Sequence, residues 1–436
     1  MPYLLNVAYL FLLLVLSPWL AYKALTVGKY RRGWAAKLLG RIAHPLLVDD
    51  GHPVAWFHGV SVGEIHLLRS LVARFRERFP QWRCVISTTT DTGHDEAGKA
   101  FPDLAVIDWP LDFTWAVKTA LARVRPALVV LAEGEVWPNF VWAAKRQGVK
   151  VAIVNGRMSP RSAGRYRWLA WLARTLFSRL DLVAAQTEEY REAFAALGAR
   201  PAVATGNVKY DGVQTQRDNP RTRAMGELFG IQPGEIVWVG GSTQDPEERV
   251  CLAIHKKARR LGANLRLIIV PRHRERFDEV AALLEGSGVT FARRSQLQPG
   301  APPPADAVIL GDSMGELGAI WGLADLAFVG GSLDGKRGGQ NMIEPAAYGA
   351  AVLFGPHTWN FKETVANLLR RQSAIQVTNE GDLDAELLRL IWVEERRRQL
   401  GEAARRFVLS QQGATAKTLD LLQALMGQDE TKRRAA

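Results

Sequence analysis

"VAWFHGVSVGEIHLLRSLVARF", residues 54 to 75, is the stretch on which the fold of this chain turns. Val54 to Phe57 reads as a short buried strand, Gly59 to Gly63 as a tight turn, and Ile65 to Phe75 as a helix with apolar residues at helical spacing. One carboxylate, Glu64, is left just past the carboxyl end of the strand, the rim at which open α/β sheets bind ligands. A glutamate in a first helical turn also complements the helix dipole, so its position alone does not separate a working carboxylate from a structural one.

The same unit recurs along the chain. "CVISTTTDTG" from Cys84, "LVVLAEGEVWPN" from Leu128, "VAIVNGR" from Val151, "IVWVGGST" from Ile236, "LRLIIVPRH" from Leu265, "AVILGDSMGEL" from Ala307 and "LAFVGGS" from Leu326 are apolar runs that end in polar or glycine-rich residues. Helical patterns of ten or more residues separate most of them, and strands alternating with helices mean parallel sheets in βαβ units. The polar run Tyr210 to Met225 breaks the rhythm. The expected fold class is therefore α/β, with two Rossmann-like doubly wound domains. The expected limits are a membrane anchor over 1–22, an N-terminal domain over 23–215 and a C-terminal domain over 216–436.

A length of 436 residues suits two such domains, and 47% hydrophobic content is that of a globular chain. The formal charge of +12 is not gathered into a tail and no nucleic-acid motif accompanies it, so nucleic acid is not an expected partner. Anionic lipid or a phosphorylated substrate fits the charge better. Cys84 and Cys251 lie far apart without metal-ligand spacing, which points to a reducing compartment.

Tyr3 to Tyr22 carries no charge, and Lys23, Lys29, Arg31, Arg32, Lys37 and Arg41 follow before the first acid at Asp49. The positive-inside rule then places the body on the cytoplasmic side of a membrane. Asn6, Ser17 and Pro18 weaken the case for a straight span, so a hairpin or an interfacial helix stays open beside a full crossing.

Several groups gather at the expected strand ends. Glu133 and Glu135 lie two residues apart, a carboxylate pair that is costly at a rim unless it has a task or a basic partner, and Lys209 is a candidate for that partner. Arg272 follows Pro271 at the end of a strand and suits bidentate phosphate binding. Ser313, Met314 and Gly315 open another helix. In "FVGGSLDGKRGGQNMIEPAAYG" the glycines allow close backbone approach, Asn341 resembles a cap, and Glu344 falls in the first turn after Met342 and Ile343, where a carboxylate beside a phosphate-binding loop takes ribose hydroxyls. The chain has no Walker phosphate loop, no His-Glu-x-x-His and no Cys-x-x-Cys, and "GVSVG" matches the hydrolase elbow in letters only.

Taken in order, "SVGE", "TTTDTG", "EGEVWPN", "NGRMSPRS", "GNVKYD", "GST", "VPRHRERF", "MGEL", "FVGGSL", "GGQNMIEPAAYG" and "GPHTWNF" resemble the motif series of the 3-deoxy-D-manno-octulosonic acid (Kdo) transferases of lipopolysaccharide assembly. The resemblance implies the GT-B arrangement of glycosyltransferases, CMP-Kdo as donor and a lipid A precursor as acceptor. It also implies membrane lipid as a contact, the cytoplasmic face of the inner membrane as location, and inversion at the anomeric carbon with neither cofactor nor metal. By the same resemblance Glu64 is the base, and Glu133 and Lys209 stabilise the transition state. Pro271, Arg272, Ser313, Met314, Gly315, Asn341, Met342, Ile343 and Glu344 hold the cytidine monophosphate. The chain departs from the family pattern at Val60 and Val62, at the glycine between Glu133 and Glu135, and at Gln340, where a histidine is usual. Two rival readings are an enzyme of the same fold that uses another nucleotide sugar on a membrane lipid, and a catalytically silent membrane-attached scaffold.

Overall fold

The structure is a computed structural model that describes residues 2–26, 33–47, 49–158, 162, 164, 166 and 170–434. Lys29, Arg31 and Arg32 of the basic run, and the Ser-Pro-Arg at 159–161, lie outside the described residues. The chain forms two compact units, one of Met1–Gly212 with Gln411–Ala436 and one of Val213–Ser410.

The first unit is built on strands β1 (Val54–His58), β2 (Arg83–Thr88), β3 (Ala105–Asp108), β4 (Pro126–Ala132), β5 (Lys150–Gly156), β6 (Leu182–Ala185) and β7 (Ala202–Ala204). They pair in the order β3-β2-β1-β4-β5-β6-β7, and every pairing is parallel. Chain order runs outward from β1 on one side and outward from β4 on the other, so the topological switch point lies between these two strands. Alternation along the strands serves two cores. Trp56, Val129 and Val151 face one, and Ala55, Phe57, Val130 and Ala152 face the other. A sheet buried on both faces needs near-continuous apolar strands, which is why the sequence shows apolar runs and not a strict alternation.

Helices cover both faces. On the Trp56 side lie α5 (Thr114–Val124) and α6 (Pro138–Arg146), through Val117, Leu121, Phe140 and Val141. On the Phe57 side lies α3 (Val62–Arg78), through Leu67, Leu68, Leu71 and Phe75. Beside it packs the last helix, Ala414–Arg434, which sends Leu419, Leu422 and Leu425 into the same core. The sequence reading carried the second domain through residue 436; the structure instead returns the chain to the first unit at Gln411. Asp211 fixes the return by accepting the backbone N–H groups of Gly413 and Thr415.

The second unit repeats the plan with β8 (Ile236–Thr243), β9 (Leu265–Pro271), β10 (Phe291–Arg293), β11 (Val308–Leu310), β12 (Leu326–Val329), β13 (Ala351–Phe354) and β14 (Ile375–Gln376). Its order is β10-β11-β9-β8-β12-β13-β14, again parallel, with the switch point between β8 and β12. Trp238, Phe328 and Leu353 from the sheet meet Val250 and Leu387 from its helices. Full burial of side chains of this size stabilises by about 1.5–3 kcal/mol each.

At the amino terminus the helix α1 (Pro2–Thr26) is apolar over Pro2–Trp19 and mostly exposed. Its length and composition fit a membrane anchor. The short helix α2 (Trp34–Leu39) follows and packs on α5.

Candidate active site

The turn after β1 is held by hydroxyls. Ser61 caps α3 by accepting the Glu64 backbone N–H, and the Glu64 carboxylate reaches back to the Val60 N–H at 2.8 Å and to Ser61 Oγ at 3.0 Å. This is the reciprocal pattern of Ser-x-x-Glu at a helix start. Thr88 and Thr90, from the end of β2, both donate to the Val60 carbonyl, at 3.1 and 2.9 Å. Gly93 lets them approach, since a Cβ there would stand 2.5 Å from Thr88 Oγ1 and 2.7 Å from Thr90 Oγ1. "TTTDTG" therefore shapes the turn that carries Glu64.

Glu64 is half-buried, and its carboxyl is pushed up from 4.5 to about 7. Burial is the largest cause; the hydrogen bonds from Val60 and Ser61 oppose it, and the charges of Glu133 and Glu135 add to it. A capping glutamate on an open surface has no reason for such a shift. Glu64 follows β1 and Glu133 follows β4, so the two carboxylates flank the switch point of the first sheet.

Glu133 sits in the left-handed region at φ 59°, as does Asn155 at the end of β5 with φ 53°. Strained backbone of this kind persists where the surroundings hold it, and it clusters at working sites. Both residues are tied in. Glu133 donates its N–H to the Val154 carbonyl and accepts from the Arg157 N–H, while buried Asn155 accepts the Val208 N–H at 3.0 Å. That last bond, with Asn207 Oδ1 accepting the Lys209 N–H, sets the one-turn helix Val208–Tyr210 so that Lys209 Nζ lies 2.9 Å from Glu133 Oε1. The structure thus brings Glu64, Glu133 and Lys209 together in one unit. Burial also pushes the Glu135 carboxyl up.

His58 closes the floor of the turn. It is buried and stacked on Trp109 with ring centroids 3.9 Å apart, and burial pushes its imidazole down to about 3, so it stays neutral.

In the second unit the remaining candidates all follow strand ends. Arg272 follows β9 with its side chain exposed, and Pro271 is buried as the last residue of that strand. Ser313, exposed Met314 and Gly315 follow β11; Ser313 bonds Glu316, which also pairs with Arg294 at 2.6 Å. Asn341 and Glu344 lie at the start of the helix Ile343–Tyr348, joined by a bond of 2.9 Å from Asn341 Nδ2 to Glu344 Oε1. Burial raises the Glu344 carboxyl, against the Asn341 hydrogen bond and the Arg272 charge. Met342 and Ile343 are buried and anchor that helix rather than present side chains.

One residue that organises this rim escaped the sequence reading. Glu247, 1% exposed, accepts the backbone N–H groups of Gly331 at 2.7 Å, Ser332 at 2.9 Å, Leu333 at 3.1 Å and Gln244 at 2.9 Å. It therefore clamps the glycine loop after β12 to the loop after β8, across the switch point of the second sheet. A Cβ on Gly330 would stand 2.6 Å from Glu247 Oε2. The second glutamate of the pair, Glu248, receives Arg276 at 2.6 Å and makes that second arginine of "RERF" structural. Among the described residues, no group of three or more His, Cys, Asp or Glu side chains is placed to hold a metal ion.

Comparison with known proteins shows the family. Residues 31–212 match the family described as 3-deoxy-D-manno-octulosonic-acid transferase (kdotransferase). The chain is 35% identical over 364 residues to the 3-deoxy-D-manno-octulosonic acid transferase of Chlamydophila psittaci, covering 83% of this chain and 82% of that one. It is 34% identical over 419 residues to the protein of the same description from Bordetella pertussis, covering 94% and 96%. A glycosyltransferase structure from Rickettsia africae superposes with a TM-score of 0.53 over 86% of this chain and 99% of that chain at 12% identity, a likeness of fold.

Proposed function

Because the chain belongs to the 3-deoxy-D-manno-octulosonic acid transferase family and is a glycosyltransferase of GT-B fold, we propose that it moves Kdo from CMP-Kdo to a hydroxyl of a lipid A precursor, with inversion at the anomeric carbon. The acceptor is a membrane lipid, and α1 holds the enzyme at the cytoplasmic face of the inner membrane. The observation that carries the reading is Glu64, a carboxyl held near neutrality at the switch point of the first sheet and flanked by Glu133 and Lys209.

In the proposed reaction Glu64 takes the proton from the acceptor hydroxyl as its oxygen bonds the anomeric carbon of Kdo. The bond from that carbon to the phosphate oxygen breaks, and cytidine monophosphate leaves with the electron pair. A base is most effective when its pKa lies near the working pH, and burial gives Glu64 that value. Lys209, fixed against Glu133, supplies positive charge for the negative charge that grows on the leaving phosphate. On the second unit, exposed Arg272 meets the departing phosphate, and the backbone of Ser313, Met314 and Gly315 completes its cradle. Asn341 and Glu344 take the ribose, with Pro271, Met342 and Ile343 holding the walls.

Incubation of the purified chain with CMP-Kdo and a lipid A precursor tests this. The expected result is a lipid product heavier by a Kdo residue, with cytidine monophosphate released. Transfer from a uridine diphosphate sugar, with none from CMP-Kdo, would overturn it.

A further inference from the structure

The apolar helix α1 is tied at its start to the body it would anchor. Asn6 is 5% exposed; its Nδ2 donates to Thr114 Oγ1 at 2.7 Å, and its Oδ1 accepts the Thr114 N–H at 3.1 Å and Asn139 Nδ2 at 3.3 Å. One turn on, the Tyr9 hydroxyl donates to Asp112 Oδ2 at 3.2 Å, and its ring meets Phe113 edge to face. Asp112 in turn accepts the N–H groups of Asn139 and Phe140, the start of α6. Pro2, Leu5, Asn6, Tyr9 and Leu13 are the less exposed positions of the helix, and their spacing puts them on one face, toward the first unit.

The segment after the helix is tied to the first unit as well. Gly33 lies against the Asp108 carboxylate, and Lys37 pairs with Asp91 and Asp108 at 3.6 and 3.4 Å. Only six residues separate Thr26 from Gly33, a reach of roughly 25 Å at full extension, and three of them are Lys29, Arg31 and Arg32. Beyond the Tyr9 contact, Leu10 to Thr26 is about 25 Å of helix, less than the about 30 Å of a hydrocarbon core. A crossing helix would have to pull those three cations back through the bilayer, which is costly for each of them.

We infer that α1 does not cross the membrane but lies in the plane of one leaflet, on the same side as the body, with an anionic bilayer as its partner. This rests on the reading of α1 as a membrane anchor given above. Its outward face, including Leu14 at 71% and Leu25 at 79% exposure, enters the acyl boundary. Charge fits that placement at both ends. Beside Pro2 a pocket is lined by Lys145, Arg146 and Arg179, and the two arginines have no carboxylate partner among the described residues. In the sequence Lys29, Arg31 and Arg32 follow the helix, so cations flank it on both sides, as an anionic headgroup layer favours.

Nitroxide labels on Leu4→Cys, Leu14→Cys and Leu25→Cys in the full chain, bound to phosphatidylglycerol-containing vesicles, decide the geometry; Cys84 and Cys251 are buried and do not compete for the label. The in-plane helix places all three labels about 5–10 Å below the headgroups, reducible by ascorbate added outside. A label at Leu14 about 15 Å deep, with the label at Leu4 shielded from external ascorbate, would show a crossing and overturn the inference. A chain that stays in the supernatant, with label mobility unchanged by vesicles, would overturn the anchor reading itself, an outcome separate from a wrong orientation.

Discussion

Glu64 and Glu133 stand at the ends of neighbouring strands on either side of the first sheet's switch point, and the negative charge of Glu133 adds to the burial that holds the Glu64 carboxyl near 7. The pairing is costly to the fold and useful to a base. A carboxyl whose folded pKa is raised binds its proton more tightly in the native state, so its contribution to stability is present below about 4.5 and is lost as pH rises through about 7. Catalysis needs the opposite form.

Single-turnover transfer should therefore rise with pH through about 7 and then level. Glu64→Gln should lower the rate by roughly 10² to 10⁴-fold and flatten that acid limb. Its thermal midpoint at pH 8 should not fall below that of the parent, because Gln keeps the helix-start bonds and removes the buried charge. A folded Glu64→Gln protein with the parent transfer rate would leave Glu64 as a cap only.

Lys209 neutralises Glu133 across 2.9 Å, and Lys209→Ala removes that screen. The acid limb of the transfer profile should move above 7, because Glu133 then acts on Glu64 with its full charge. Lys209→Arg should keep the limb near its parent position. Identical limbs in Lys209→Ala and the parent would mean that the two carboxyls are not coupled in the working enzyme.

These residues were legible in the sequence for a physical reason: Glu64, Glu133 and Arg272 each follow an apolar run by one to a few residues, Glu344 opens the next helix after one, and a doubly wound sheet turns that pattern into a rim. Glu247 follows one too, yet its work was hidden. A first-turn glutamate looks like a dipole complement, and the N–H groups it accepts from Gly331 to Leu333 lie more than eighty residues away. The return of the last helix was hidden for a similar reason. Leu419, Leu422 and Leu425 announce an apolar face but not which sheet will cover it, and the choice is made by Asp211, 202 residues before the Gly413 whose N–H it accepts. Asn6 was read as a flaw in an apolar span; the buried partners that make it a fastening are Thr114 and Asn139.

Glu247→Ala should strip four backbone N–H groups of their acceptor, each costing about 1–3 kcal/mol where it stays buried. Loss of at least about 3 kcal/mol is expected, with the glycine loop exchanging its amide hydrogens faster. Cytidine monophosphate affinity should fall in parallel, measured by calorimetry below the new melting range. A mutant with parent stability and slow exchange in residues 330–333 would contradict the clamp.

Glu344→Ala should weaken cytidine monophosphate binding by about 1–3 kcal/mol, the range for losing a charge-assisted hydrogen bond. Asn341→Ala should also weaken binding in the same assay, since it acts on the ligand and also holds Glu344 at 2.9 Å. Unchanged affinity in a folded Glu344→Ala protein would remove that residue from the donor site.

Asn6→Leu separates two views of the amino-terminal helix. For a crossing helix the change is an improvement: a polar group leaves the apolar span and nothing in the body is disturbed. For a helix fastened to the body, the Thr114 N–H and the Asn139 side chain lose the oxygen that Asn6 gives them at 3.1 and 3.3 Å, at the starts of α5 and α6. Loss of about 1–3 kcal/mol follows, which lowers the thermal midpoint by roughly 2 to 12 °C for a unit of this size. Tyr9 and Asp112 would be left to hold the helix, so amide exchange over residues 2–9 should speed while vesicle binding persists through the untouched apolar face. The combination is diagnostic because the two effects part company: partition into vesicles stays and stability falls. A parent-like midpoint together with parent-like exchange over residues 2–9 would show that Asn6 fastens nothing.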